Sequence, residues 1–204
     1  MIKTVATITE IFFNNSLNEL IIDKNRSKLL YEIADYIVKL LKSNTPVNLN
    51  FLCANNNCRS QLSQVWATYA VNFYQLKNLK NYSGGTTPTS FNRNTAKTLK
   101  KVGFNFQILK LSHHNPHYSI TYNGYIEPII GFSKIYDNEH NKTPFITITH
   151  CEKTKENCSY ISEKAEGFHL PYEDPNNKPE TFFKLNKQIA GEIHFIFKIV
   201  KENV

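Results

Sequence analysis

The sequence predicts an α/β fold: a parallel sheet with helices on both faces. Three observations carry that expectation. Short apolar or alternating runs at "VNLNFLC", "NYSGG", "FITITHC" and "EGFHL" read as strands. Segments with helical periodicity fall between and after them, the order expected of parallel strands joined by crossovers. The composition is 41% hydrophobic and 20% charged with only 7 Gly and 8 Pro, which suits a folded chain.

Taken in order, residues 26–41, "RSKLLYEIADYIVKLL", place Leu29, Leu30, Ile33, Ile37, Leu40 and Leu41 at helical spacing. Pro46 in the following "SNTP" biases its predecessor away from helical geometry and ends the helix. Residues 1–46 are therefore expected to form a helical N-terminal extension packed on a main domain of residues 47–204, with no chemistry of its own. Asn48 and Asn50 are unusual for a strand buried on both faces. From Ser60 to Phe73 a helix puts Leu62, Val65, Trp66, Tyr69 and Phe73 on one core face. "NRNTAKTLKKVGF" reads as a helix ending near Gly103. Residues 105–144 show little periodicity and read as a hairpin or long excursion, with Tyr118, Tyr122 and Tyr125 alternating. The last helix, 180–200, turns Phe182, Leu185, Ile189, Ile193, Ile196 and Val200 inward.

The 204 residues carry 24 basic and 17 acidic side chains, a formal charge of +7. A Lys-rich surface explains that excess, and no nucleic-acid motif accompanies it. No apolar run is long enough for a membrane span, and "MIKTVATITEIFF" lacks the pattern of a secretory signal, so a cytoplasmic location is expected. Four cysteines then read as reactive or buried thiols and not as structural disulfides. They form two pairs, Cys53 with Cys58 and Cys151 with Cys158, at spacings that do not fit zinc knuckles. His113, His114 and His117 read as a solvated loop cluster. No metal site is expected.

The stretch "FLCANNNCRSQ" ends a strand and opens a helix with the pattern C-x5-R-S. In an open α/β sheet, ligands bind at such strand ends. Successive N–H groups of Ala54, Asn55, Asn56, Asn57, Cys58, Arg59 and Ser60 can wrap an anion at the helix N-terminus. The same field favours the thiolate of Cys53, and the guanidinium of Arg59 can hold two oxygens of a tetrahedral oxyanion.

This stretch resembles the phosphate-binding loop of the low-molecular-weight protein tyrosine phosphatase superfamily, especially its thioredoxin-coupled arsenate reductase branch. "SGGTTPTSFNRNTAKTLKKVGF" is similar to the segment that follows in that family, and "YEDP" to its Asp-Pro turn. The resemblance covers about residues 47–201. It implies a flavodoxin-like three-layer sandwich with a central four-stranded parallel sheet. It also implies that Cys53 is the nucleophile, that Asp174 donates a proton, and that Ser60 holds the Cys53 sulfur. Cys151 would resolve the thiol–arsenic adduct and Cys158 would take over the disulfide, passing it to a thioredoxin-like reductant, with no cofactor required. The family loop carries Gly at Asn55, where Asn suits a positive φ. Gln64 stands where that branch carries a carboxylate of a potassium site, so no potassium requirement is expected.

Spacing adds one constraint. Were 151–158 helical, seven steps of about 1.5 Å would put the two Cα atoms ~10 Å apart. A disulfide needs roughly 4.4–6.8 Å, so the segment must loop to oxidise. Three readings stay open: an arsenate reductase; a phosphatase acting on phosphotyrosine or a small phosphomonoester, with the later cysteines incidental; and a silent oxyanion-binding module. Cys58 reads equally as a core residue or as a redox partner of Cys53.

Overall fold

The computed structural model describes residues 6–123, 127–152, 154, 167–176 and 178–204. In chain order its elements are α1 (Ile8–Asn18), α2 (Lys24–Lys42), β1 (Val47–Leu52), α3 (Arg59–Phe73), β2 (Leu79–Gly84), α4 (Arg93–Lys101), β3 (Asn105–Lys110), β4 (His117–Thr121), β5 (Ile129–Gly131), β6 (Ile146–Thr149), β7 (Gly167–His169) and α5 (Pro179–Asn203). The central sheet is parallel and four-stranded in the order β2-β1-β6-β7. Its helices complete the expected three-layer sandwich.

Local chemistry sets the helix ends. Thr7 and Asp23 cap α1 and α2 by accepting from the backbone N–H of Glu10 (3.1 Å) and Arg26 (2.8 Å). Proline stands in the first turn of α5, where its missing N–H costs nothing. Gly103, at φ +97°, closes α4, and the N–H of Phe104 returns to the Leu99 carbonyl.

The alternation of β1 separates its two faces. Val47, Leu49 and Phe51 join the hydrophobic core. Asn48 and Asn50 donate instead to the carbonyls of Pro144 and Tyr136, both at 2.9 Å. The polar residues of this buried strand are thus explained by the backbone of the 132–145 segment lying over that face. The 105–144 excursion is a second sheet, antiparallel, ordered β3-β4-β5. Its tyrosines are structural: Tyr118 packs edge-on to Phe91 and Phe106, and Tyr122 accepts a bond from Asn72 while packing on Tyr69. Tyr125 lies outside the described residues.

Helix α5 is the hub against which α1, α2, α3 and α4 pack. All six of its residues expected inward are buried. The N-terminal helices contribute Phe13, Leu30, Ile33 and Ile37 to the same hydrophobic cluster as β1 and α5. Phe13 is stacked between Trp66 (5.5 Å) and His194 (4.0 Å). Gly191 lets α1 approach α5 closely, since a Cβ there would meet the Ser16 carbonyl. Among the described residues, no helix is long and apolar enough to cross a membrane.

Candidate oxyanion-binding site

Cys53 follows β1 directly and is only 1% exposed. Its Sγ lies 3.0 Å from Ser60 Oγ. Asn56 Nδ2 donates to that same Ser60 oxygen at 2.9 Å, so the serine hydrogen is free to point at the sulfur. Asn56 is the staple of the loop. Its φ is +44°, and its Oδ1 accepts from Gln61 Nε2 (3.0 Å) and the Lys134 backbone N–H (2.9 Å). The positive φ therefore falls on Asn56 and not on Asn55, where the sequence suggested it.

The loop carbonyls face away from its hollow. Ala54 O accepts from Thr86 and Thr87, Asn55 O from Ser133 Oγ, and Asn57 O from the Asn92 N–H and Thr95 Oγ1. Gly85 makes this possible by lying under the loop; a Cβ there would sit 2.6 Å from Ala54 O and 2.8 Å from Asn56 N. The N–H groups of Ala54, Asn55, Asn57 and Cys58 are unclaimed by other described residues. A small concavity of about 160 Å³ is lined by residues 54, 55 and 57–59 with Asn92, Asp174, Pro175 and Phe182. Its size suits a tetrahedral oxyanion.

Arg59 opens α3 and is held by its fork. Nη1 donates to Tyr172 O at 3.0 Å, and Nη2 to Asp174 Oδ2 at 3.1 Å. Asp174 also accepts from the Asn176 N–H (2.9 Å), yet its side chain remains 61% exposed. The expected loop, clamp and acid thus share one concavity, whereas Cys53, buried at the start of the loop, is not among the residues that line it. Cys151 leaves β6, the strand beside β1; Leu52 pairs with Thr149, and the His150 N–H donates to Leu52 O at 2.8 Å. Its half-buried Sγ contacts Thr154 Oγ1 at 2.8 Å. Cys158 lies outside the described residues. Cys53, Cys58 and Cys151 are free thiols. Burial pushes the Cys58 thiol far above its usual range, leaving it protonated on the inner side of the loop.

Several residues of the site were not singled out from sequence. His150, fully buried, meets Ser63 Oγ (2.8 Å) through Nε2 and Leu170 O (2.9 Å) through Nδ1. A carbonyl can only accept, so the proton of the neutral ring sits on Nδ1, and Nε2 is the acceptor facing the Ser63 hydroxyl, which also reaches the Arg59 carbonyl at 3.0 Å. Burial lowers its pKa to about 3. Lys134 is 4% exposed, and burial lowers its pKa to about 7. Its ammonium lies 3.4 Å from Ser83 Oγ, whose hydrogen goes to Gln64 Oε1 at 2.6 Å, and 4.8 Å from the Phe132 ring. A neutral amide beside a buried ammonium does not fit a potassium ion. Adjacency to Cys151 is the one sequence signal that marks His150; Lys134 has none. Among the described residues, no three His, Cys, Asp or Glu side chains converge as a metal site, and His117 stacks on Phe132 at 3.9 Å.

No protein-family model matches the chain. It is 24% identical over 159 residues to an arsenate reductase of Staphylococcus aureus (strain Newman), covering 78% of this chain and 96% of that protein. It is 23% identical over 135 residues to arsenate reductase 2 of Staphylococcus haemolyticus, covering 66% and 82%. Among solved structures it resembles a low-molecular-weight phosphotyrosine phosphatase of Vibrio cholerae O395 (TM-score 0.53, 13% identity, 74% and 93% covered). It also resembles an arsenate reductase in a phosphate-binding state (TM-score 0.51, 17% identity, 74% and 97% covered). A third is an arginine phosphatase of Geobacillus stearothermophilus (TM-score 0.51, 16% identity, 77% and 92% covered). The fold is that of the low-molecular-weight phosphatases, and the sequence is similar to arsenate reductases.

Proposed function

We propose that this chain, with its low-molecular-weight phosphatase fold and arsenate-reductase-like sequence, is an arsenate reductase that uses a cysteine relay. The observation that supports the reading is that Arg59 and Asp174 line one small concavity together with the loop that runs from Cys53 to Ser60, with Cys151 just past the end of the neighbouring strand.

Arsenate sits against the loop N–H groups and Arg59. The Cys53 thiolate, accepting from Ser60, forms a bond to arsenic, while Asp174 protonates the departing hydroxide. Cys151 attacks the Cys53 sulfur. The electron pair of the S–As bond passes to arsenic, which leaves as arsenite, and a Cys53–Cys151 disulfide remains. Cys158 then attacks Cys151 and releases Cys53 as thiolate. A thioredoxin-like dithiol reduces the resulting Cys151–Cys158 disulfide and restores the enzyme.

A second reading is favoured by the exposed, Arg59-bound carboxylate of Asp174. In a phosphomonoesterase the same Cys53 takes the phosphoryl group, Asp174 protonates the leaving oxygen, and water clears the phosphocysteine. Two assays separate them. Arsenite formation coupled to thioredoxin and abolished in Cys151→Ser supports the reductase. Aryl phosphate hydrolysis that survives Cys151→Ser, with no arsenate turnover, replaces it with the phosphatase. If neither turns over although phosphate protects Cys53 from alkylation, both enzymatic readings fall.

A further inference from the structure

Arg26, in the first turn of α2, reaches across 166 positions to the carboxylate of Glu192 on α5. Two parallel bonds join them, Nε to Oε1 at 3.0 Å and Nη2 to Oε2 at 2.7 Å. Glu192 is 1% exposed and the Arg26 side chain 15%. The pair is completed by the segment that carries Asp174. Tyr172 Oη donates to Glu192 Oε2 at 2.8 Å, Arg26 Nη1 donates to Pro171 O at 3.0 Å, and the Arg26 guanidinium lies 4.9 Å from the Tyr172 ring centre.

Tyr172 is the node of this network. Its N–H donates to His150 O, its carbonyl accepts from Arg59, and its hydroxyl is bound to Glu192. Every polar atom of the residue is committed, two positions before Asp174. A segment between β7 and α5 is otherwise free to choose where it places that carboxylate. Here the choice is made from outside the phosphatase-like region, by a side chain of the N-terminal extension. A bidentate, buried guanidinium–carboxylate pair is rigid enough to fix a loop in one position.

We propose that Arg26, through Glu192 and Tyr172, is a positioning residue that aims Asp174 and one arm of Arg59 at the oxyanion loop, making the N-terminal extension part of the catalytic apparatus. This rests on the enzymatic reading above, in which Asp174 is the acid. Protonation matters most for a basic leaving group and little for an acidic one. A misaimed Asp174 therefore has a signature that a general loss of folding lacks.

The test compares the wild-type chain with Arg26→Ala combined with Glu192→Gln, which avoids stranding a buried carboxylate. Tyr172→Phe, which removes only the hydroxyl, is the second variant. Turnover of phenyl phosphate should fall in both, by ~10-fold or more beyond any loss on 2,4-dinitrophenyl phosphate, with KM nearly unchanged. Amide hydrogen exchange over residues 168–176 should quicken while that of α3 stays as in wild type. Equal losses on the two esters overturn the proposal whatever exchange shows. If the wild type hydrolyses neither ester, the kinetic comparison does not apply, and failure to reduce arsenate as well is a separate failure of the enzymatic reading. Exchange then decides: faster exchange over 168–176 supports the positioning link, and unchanged exchange overturns it.

Discussion

Asp174 Oδ2 stands 3.1 Å from Arg59 Nη2, while Tyr172 O holds the other arm of the same guanidinium at 3.0 Å. The groups proposed as acid and anion clamp are thus one ion pair beside the loop. An arriving oxyanion competes with the carboxylate for that arm. A lysine ammonium keeps the charge but cannot span the two acceptors in a plane. Arg59→Lys should lower kcat/KM for arsenate or aryl phosphate by ~10²-fold or more. Steady-state kinetics near wild type would remove the bidentate clamp from the mechanism.

Gly85 touches the loop from beneath, and a single methyl there meets both Ala54 O and Asn56 N. Gly85→Ala should leave the circular dichroism spectrum nearly intact but weaken phosphate protection of Cys53 against alkylation by ~10-fold or more. Unaltered protection would mean that the loop yields to the methyl group without losing its concavity.

His150 is held neutral with a pKa of about 3, whereas the unfolded chain protonates near 6.5. Between those values the unfolded state binds the extra proton, so stability falls as pH falls through that window. The loss attributable to this one group is at most about 1.4 kcal/mol per pH unit. Urea unfolding from pH 7 to pH 4 should show wild type losing stability more steeply than His150→Gln. Parallel curves would show that the ring is not the titrating group.

Lys134 shows a cationic counterpart. Its ordinary value of 10.5 is lowered to about 7, and among the described residues no carboxylate pairs with it. The unfolded chain holds the proton more tightly between pH 7 and 10.5, so this group's contribution to stability rises with pH across that range. Lys134→Met should flatten the rise and increase stability near pH 6.5 by roughly 2–4 kcal/mol. Thermal melts at pH 6.5 and pH 9.5 check both; an unshifted Tm at the lower pH contradicts the burial cost.

The same ammonium, close to Ser83 and thereby to Gln64, already supplies a positive charge behind the loop. Exchanging sodium for potassium at constant ionic strength should therefore leave kcat/KM within about twofold. A several-fold stimulation by potassium would show that an ion binds despite Lys134.

The strand–loop–helix order, the C-x5-R-S stretch and Asp174 were legible because each is a local pattern. β1 ends at Leu52, Cys53 follows, and Arg59 opens α3 within a few positions. The four parallel strands were visible for the same reason. Asn48 and Asn50 remained puzzling because their partners, Pro144 and Tyr136, come from a segment without periodicity. Arg26 was invisible as a site residue: on a helix its charge reads as solvated surface, and only folding brings Glu192 and Pro171 to it. Lys134 was hidden similarly, since sequence composition assigns a lysine to the outside. Asn56 was mistaken for its neighbour because three successive asparagines tolerate a left-handed turn equally well, and only the bonds from Gln61 and Lys134 select one.

The chain contains a single tryptophan, Trp66, fully buried, with its indole N–H bound to Asn186 at 2.8 Å and both Phe12 and Phe13 stacked beside it at 5.5 Å. Its fluorescence is consequently an intrinsic reporter of whether α1 is seated. Loosening that helix admits water to the indole and shifts emission to longer wavelength, so docking of the extension can be followed optically, without a label and in real time.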